Sequence, residues 1–256
     1  ALYAVKSLLD DGIQFTKRIR FIYGTDEETL WRCMNRYNQI EEQADLGFAP
    51  DSSFPLTYAE KGLLQVKLHG PGWDDLPLQA GQALNVVPDK ATYAGHRLEE
   101  LLPVLDQSGV QYSQTEDSVT VLGVSKHSKD AAEGVNAIVG LAESLSLIQP
   151  HPALLFIADA VGEDATGAAL FGEIKDEPSG DLSFNLATLV IDQEQSEIGI
   201  DIRIPVLADK DALVARLREI AASYQLEYEE FDYLAPLYVP LDSPLVSSLM
   251  AVYQEE

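Results

Sequence analysis

The order of apolar patterns from Gly62 onward constrains this chain most. Residues 63–68 (Leu-Leu-Gln-Val-Lys-Leu) read as a strand, and residues 83–87 (Ala-Leu-Asn-Val-Val) as another. Short aliphatic and β-branched runs suit a pleated, half-buried surface. Leu98 to Gln107 reads as a short helix, Ser118 to Leu122 as a strand, and Ala131 to Leu147 as a long helix. A second round follows. Leu182 to Ile191 and Glu197 to Ile204 are expected to pair as strands, and Asp211 to Tyr224 to form a helix capped by Asp209 or Asp211. Strands followed by helices, twice over, predict two similar α+β units in a row. The repeat is one of architecture, with no evident sequence identity between the halves. Asp159 to Gly180, rich in Gly, Asp and Glu, is the stretch expected to move most.

The first 60 residues read differently. Leu2, Val5, Leu8 and Leu9 recur at helical spacing until Asp10-Asp11-Gly12. Arg18 to Tyr23 then predicts a strand, Gly24-Thr25 breaks it, and Glu28 to Tyr37 predicts a helix. Helix, strand, loop and helix is the alternation of an α/β layer, in which ligands lie beyond the carboxyl ends of the strands. The acidic cluster Asp26-Glu27-Glu28 falls at that place. Ser243 to Tyr253 predicts a closing helix. A chain that opens and closes on helical patterns is expected to be a piece of something longer.

Composition narrows the function. The 256 residues suit one large or two modest domains at roughly 150 residues each. Seventeen basic against 42 acidic residues give a net charge of −25. That charge repels phosphates and anionic lipid, so neither nucleic acid nor a membrane surface is an expected partner. One cysteine, Cys33, excludes an internal disulfide framework and a thiolate zinc cluster. No apolar run reaches the roughly 18 residues of a membrane-spanning helix. A cytoplasmic location is the expectation.

Few residues stand out chemically. Adjacent carboxylates at Asp26-Glu27-Glu28 could be neutralised by a divalent metal, leaving one as a general base. They could equally favour the macrodipole at a helix N-terminus. Asp51, after Pro50, is either an ordinary turn aspartate or a second metal ligand. His127 lies in a loop before a predicted helix, and none of the four histidines has the spacing of a paired metal site. Asn85 and Arg203 fall within predicted strands. An arginine on a strand of an acidic protein pairs with a neighbouring carboxylate or grips a ligand carboxylate with two parallel hydrogen bonds.

Taken together, the blocks Arg20-Phe-Ile-Tyr-Gly-Thr-Asp-Glu-Glu28, Leu46-Gly-Phe-Ala-Pro-Asp51 and Phe54-Pro-Leu-Thr-Tyr-Ala-Glu-Lys-Gly62 resemble the peptidase V family of metallodipeptidases. That family sits within the aminoacylase and carnosinase group of co-catalytic zinc peptidases. Leu84 to Pro88, Gly123 to His127 with Glu133 to Asn136, Ile200 to Arg203, Val239-Pro240 and Pro244 to Val246 extend the resemblance in order along nearly the whole chain. It implies a catalytic α/β portion at residues 1–66 and 236–256. Between them it implies an inserted α+β lid at about 67–235, in two similar lobes of about 67–150 and 151–235.

The resemblance also implies roles. Glu27 matches the general base that activates a metal-bridging water, Glu28 a metal ligand, and Asp51 a ligand of the other metal. His127 matches the lid histidine that steadies the transition-state oxygen. Asn85 and Arg203 match lid residues that hold the substrate's C-terminal carboxylate. The implied cofactor is a pair of zinc ions and the implied substrate a dipeptide. The family's His-x-Asp block, bridging aspartate and last histidine ligand have no counterpart between Ala1 and Glu256. These residues alone are therefore expected to bind zinc weakly, to lack activity, and to self-associate through exposed faces. The alternatives are a related amidohydrolase acting on N-acyl amino acids or longer peptides, and a non-catalytic lid or dimerisation module.

Overall fold

Alternation of apolar and polar residues along residues 62–71 and 195–204 builds the main sheet. The computed structural model describes residues 1–26 and 31–255. Two helices, α1 (Leu2–Asp10) and α2 (Arg32–Ile40), come first. They are followed by β1 (Ala59–Glu60), β2 (Gly62–Pro71), β3 (Leu78–Ala80) and β4 (Lys90–Tyr93). Then come α3 (Leu98–Ser108), β5 (Tyr112–Gln114), β6 (Val119–Leu122), a 3₁₀ helix at Ser128–Glu133 and α4 (Ala137–Ser146). Next are α5 (Pro152–Leu155), a π-helical turn at Phe156–Val161, α6 (Ala168–Phe171), β7 (Lys175–Asp176) and β8 (Gly180–Asp181). The chain continues through β9 (Ser183–Ile191), β10 (Gln195–Ile204), α7 (Lys210–Ser223), β11 (Glu227–Leu234), β12 (Leu237–Tyr238) and α8 (Pro244–Glu255). The fold is mixed, with helices and antiparallel sheets. It divides into one unit at 1–57 with 241–256 and another at 58–240.

The larger unit holds a five-stranded antiparallel sheet in the order β11-β2-β10-β9-β3 and a three-stranded one in the order β4-β6-β5. Residues paired across a ladder project to the same face. One face therefore carries Leu64, Val66 and Leu68 of β2, Ile198 to Ile204 in alternation on β10, and Phe184 and Leu186 of β9, all at most 2% exposed. These side chains share one core with Ile138, Leu141 and Leu145 of α4 and with Leu213, Leu217 and Ala221 of α7. The α7 residues recur at every fourth position, which lines them up along one stripe. Strands from both expected rounds share the five-stranded sheet, since β2 lies between β11 and β10.

Several sequence expectations hold. The 183–191 and 195–204 strands pair antiparallel, and Asp209 caps α7 by accepting the N–H groups of Asp211 and Ala212. Others do not. Arg18 to Tyr23 forms no strand, because no segment offers it a ladder among the described residues. Arg20 instead donates to the Tyr37 hydroxyl and the Glu42 carbonyl, at 2.5 and 2.8 Å. The smaller unit thus has helices only among its described residues, where an α/β layer is expected. Residues 83–87 form a turn, with a single bridge from Val86 to His127, so Asn85 is not on a strand. The expected helix from 131 to 147 is cut in two. Gly134 is extended and Val135 is drawn into a bridge with Val124. Asn136 then starts α4 by accepting the N–H groups of Ile138 and Val139.

Candidate functional site

The face of the five-stranded sheet opposite the core is polar. Arg203 and Asp201 lie two residues apart on β10, with Ser183 and Asn185 directly across from them on β9 and Gln65 across from Asp201 on β2. The Asp201 side chain is fully buried and that of Arg203 is 20% exposed. Arg203 donates from Nε to Asp201 Oδ1 at 2.7 Å and from Nη2 to Oδ2 at 3.2 Å. Gln65 Nε2 adds a third donor to Oδ2 at 2.9 Å. A desolvated carboxylate needs such donors. This pair also orients the guanidinium, with its second edge outside the Asp201 contact.

Arg203 Nη2 also reaches the hydroxyl of Ser128 at 3.2 Å. Ser128 is fully buried, and each of its polar groups is engaged. Its N–H donates to the Asn85 carbonyl at 2.9 Å, and its own carbonyl accepts from the Ser183 hydroxyl. One residue earlier, His127 caps the 3₁₀ helix: Nδ1 accepts the Lys129 N–H at 3.2 Å. In the neutral ring that bond leaves the proton on Nε2, on an exposed side chain. Asn85 is exposed as well. Asn185 Nδ2 donates to the carbonyls of Leu84 and Val86, each at 3.0 Å, and Val87 N–H donates to the Lys126 carbonyl at 2.8 Å. The two loops are thus stitched to each other and to β9.

The structure therefore brings Asn85, His127 and Arg203 together around Ser128. Asp51 lies in an exposed loop of the smaller unit. Glu27 and Glu28 lie outside the described residues. Asp26, beside them, accepts the N–H groups of Arg32 and Cys33 at the start of α2, at 2.9 and 3.0 Å. Its bonds with Cys33, side chain first, and with Arg32 hold its carboxyl below the usual aspartate range. For Asp26, then, the helix-terminus reading describes the contacts seen.

Among the described residues no three His, Cys, Asp or Glu side chains converge where a metal could be held. Asp51 alone does not fit a zinc pair, which takes three or four protein ligands per ion. A cavity of about 340 Å³ beside α4 is walled in part by Val87, Val139, Phe184 and Asn185, and none of Asn85, His127 and Arg203 lines it. Among the described residues no helix is long and apolar enough to cross a membrane.

Asp201 is the neighbouring carboxylate that the sequence offers Arg203, and the structure pairs the two; the supporting residues Ser128, Ser183, Asn185 and Gln65 are not singled out by sequence. The available signal was polar residues two apart on otherwise apolar strands, Ser183 with Asn185 and Asp201 with Arg203. That spacing puts each pair on one face.

No family model matches the chain. The Bacillus subtilis (strain 168) protein named "Putative dipeptidase YtjP" is 34% identical over 277 residues, covering 99% of this chain and 59% of that protein. The Staphylococcus aureus (strain MW2) protein named "Putative dipeptidase MW1694" is 31% identical, covering 100% of this chain and 60% of that protein. "Putative dipeptidase SH1171" of Staphylococcus haemolyticus (strain JCSC1435) is 29% identical with the same coverage. Among solved structures, aminoacylhistidine dipeptidase from Vibrio alginolyticus overlays 74% of this chain and 47% of that one, with a TM-score of 0.38 at 8% identity. A likeness that low carries no argument. The resemblance to a dipeptidase family read from the sequence is borne out by the named relatives, of whose length this chain spans about 60%.

Proposed function

We propose that the chain is the substrate-gripping part of a dipeptidase. The lid over the substrate, expected at about 67 to 235, takes in the whole of the larger unit at 58–240 so that β2 stays in one piece, and residues 1–57 and 241–256 belong to the catalytic domain. Asn85 and Arg203 hold the free carboxylate of a dipeptide. His127 donates from Nε2 to the scissile carbonyl oxygen as negative charge develops on it, which is where a preorganised donor is worth most. Glu27 and Glu28 keep the roles the resemblance gives them, base and ligand.

One observation carries the reading. Asn85 and Arg203, 118 positions apart by their numbers, both bond to Ser128, and His127 is its chain neighbour. The resemblance assigns roles to those three residues independently of any contact among them. A specific observation also favours a second reading: Arg203 is paired with buried Asp201, so its job could be structural. The pair is formally neutral, which weakens its pull on a second carboxylate.

Steady-state kinetics of the full-length enzyme on dipeptides and their C-terminal amides separate the two. A carboxylate present in ground and transition states alike is bound uniformly, so Arg203→Ala should chiefly raise KM, and only for free carboxylates. His127→Ala should lower kcat by roughly 10²–10³. If Arg203→Ala lowers the melting temperature but leaves the preference for free over amidated ends unchanged, the structural reading wins.

A further inference from the structure

The role just proposed for Asn85 raises the question of what holds it, and the inference rests on that role. Asn185 is 1% exposed. Both protons of its Nδ2 go to carbonyls on either side of Asn85, those of Leu84 and Val86. The carbonyl of Asn85 itself is taken by Ser128 N–H. Three consecutive carbonyls of one turn are thus held from below, and the exposed Asn85 side chain is what the turn presents.

This arrangement has a cost. With the amide nitrogen committed to two carbonyls, Oδ1 of Asn185 is buried with no hydrogen-bond partner among the described residues. A buried acceptor left unpaired destabilises a fold. Leucine, similar in size, would remove it. Any water that reaches the two carbonyls, on half-buried Leu84 and exposed Val86, would take the amide's place. What water cannot do is fix two peptide planes at once. A planar amide on a paired strand can, because both donors are rigid relative to each other and to the sheet.

We infer that Asn185 is a positioning residue that holds the Leu84–Val86 turn so that Asn85 meets the substrate's carboxylate. The test is a double-mutant cycle in the full-length enzyme with Asn85→Ala, Asn185→Leu and the pair, on a dipeptide and its C-terminal amide. Asn185→Leu should raise KM for the free dipeptide roughly tenfold, the worth of one well-placed hydrogen bond. It should leave kcat and the amide's KM nearly unchanged. In the Asn85→Ala background it should add nothing, since a residue acting through another has no effect once that other is gone. A wild-type KM for Asn185→Leu, or effects that multiply in the double variant, overturns the inference while leaving the role of Asn85 intact. If Asn85→Ala itself changes nothing, the role of Asn85 fails and the inference with it. Should Asn185→Leu not fold, Asn185→Thr and Asn185→Val decide, being alike in shape and different by one hydroxyl donor. Valine must raise KM above threonine, and equal values overturn the inference.

Discussion

The two units treat their apolar residues in opposite ways. In residues 58–240 the five- and three-stranded sheets and the helices share one continuous buried core. In the unit formed by 1–57 and 241–256, α1 and α2 bury no residue, and Leu2 and Leu9 are each 55% exposed. Val246 is the one buried hydrophobic side chain of that unit among the described residues. Yet one of the most specific sequence blocks, Gly24 to Glu28, lies in the sparsely packed unit, and another, Phe54 to Gly62, straddles the boundary between the two. Motif and packing are therefore separate kinds of information: the first reports chemistry, the second what holds a backbone in place.

The contrast can be broken most directly by hydrogen exchange. Amides of β2, β9 and β10 should exchange at least roughly 10³-fold more slowly than those of α1 and α2, because local opening is cheap where little apolar surface is buried. Equal protection would dissolve the distinction. The next largest effect is expected inside the larger unit. Asp201→Ala leaves Arg203 unpaired in a mostly buried place and should cost about 3–5 kcal/mol in denaturant unfolding. A cost below about 1 kcal/mol would show that water reaches the pair. Ile200→Ala, fully buried, should cost about 2–5 kcal/mol. Leu8→Ala, 43% exposed, should stay within about 0.5 kcal/mol, and similar losses at the two sites would erase the comparison.

The smallest effect is pH-dependent. His151 is fully buried, bonds Pro71 O through Nε2 at 3.0 Å and accepts Ala153 N–H at Nδ1. Burial holds its pKa below the ordinary value, with the Pro71 bond opposing. Below the unfolded value of about 6.5 the unfolded chain takes up a proton that the folded ring refuses. This stability is therefore complete above that pH and is lost as pH falls toward the folded pKa. His151→Asn keeps a capping acceptor and should lose less stability between pH 7 and pH 5 than the wild type. Parallel curves would show that the ring does not contribute.

The parts readable in advance were those decided locally. The paired strands at 183–204 follow from their aliphatic runs, and α7 from its stripe and its Asp209 cap. The parts that were missed depend on distant partners. Arg18 to Tyr23 has strand-forming residues and nothing to pair with among the described residues. Residues 83–87 look like a strand but are closed into a turn by donors from Ser128 and Asn185. The 131–147 pattern stays apolar across Gly134 and Val135, where a bridge to Val124 overrides it. The same holds for the site. The roles of Asn85, His127 and Arg203 follow from the resemblance, and the Arg203–Asp201 pair from its two-residue spacing on one strand, whereas the placing of Ser183 and Asn185 against them needs the cross-strand register, which no local pattern encodes.

The grip of Asn185 on the Leu84–Val86 turn bears on the order in which the protein matures. Its two bonds span 101 and 99 positions of sequence. Closing loops of that length is slow and depends on structure that must already exist. During synthesis the 84–86 segment emerges long before the strand that will seat it, and until β9 has paired with β10 the turn has its bonds to the 126–128 loop but not those of Asn185. A nascent or partly folded molecule can thus have its helices and much of its core in place while its substrate grip is still unformed, so capacity to bind is expected to lag behind compaction.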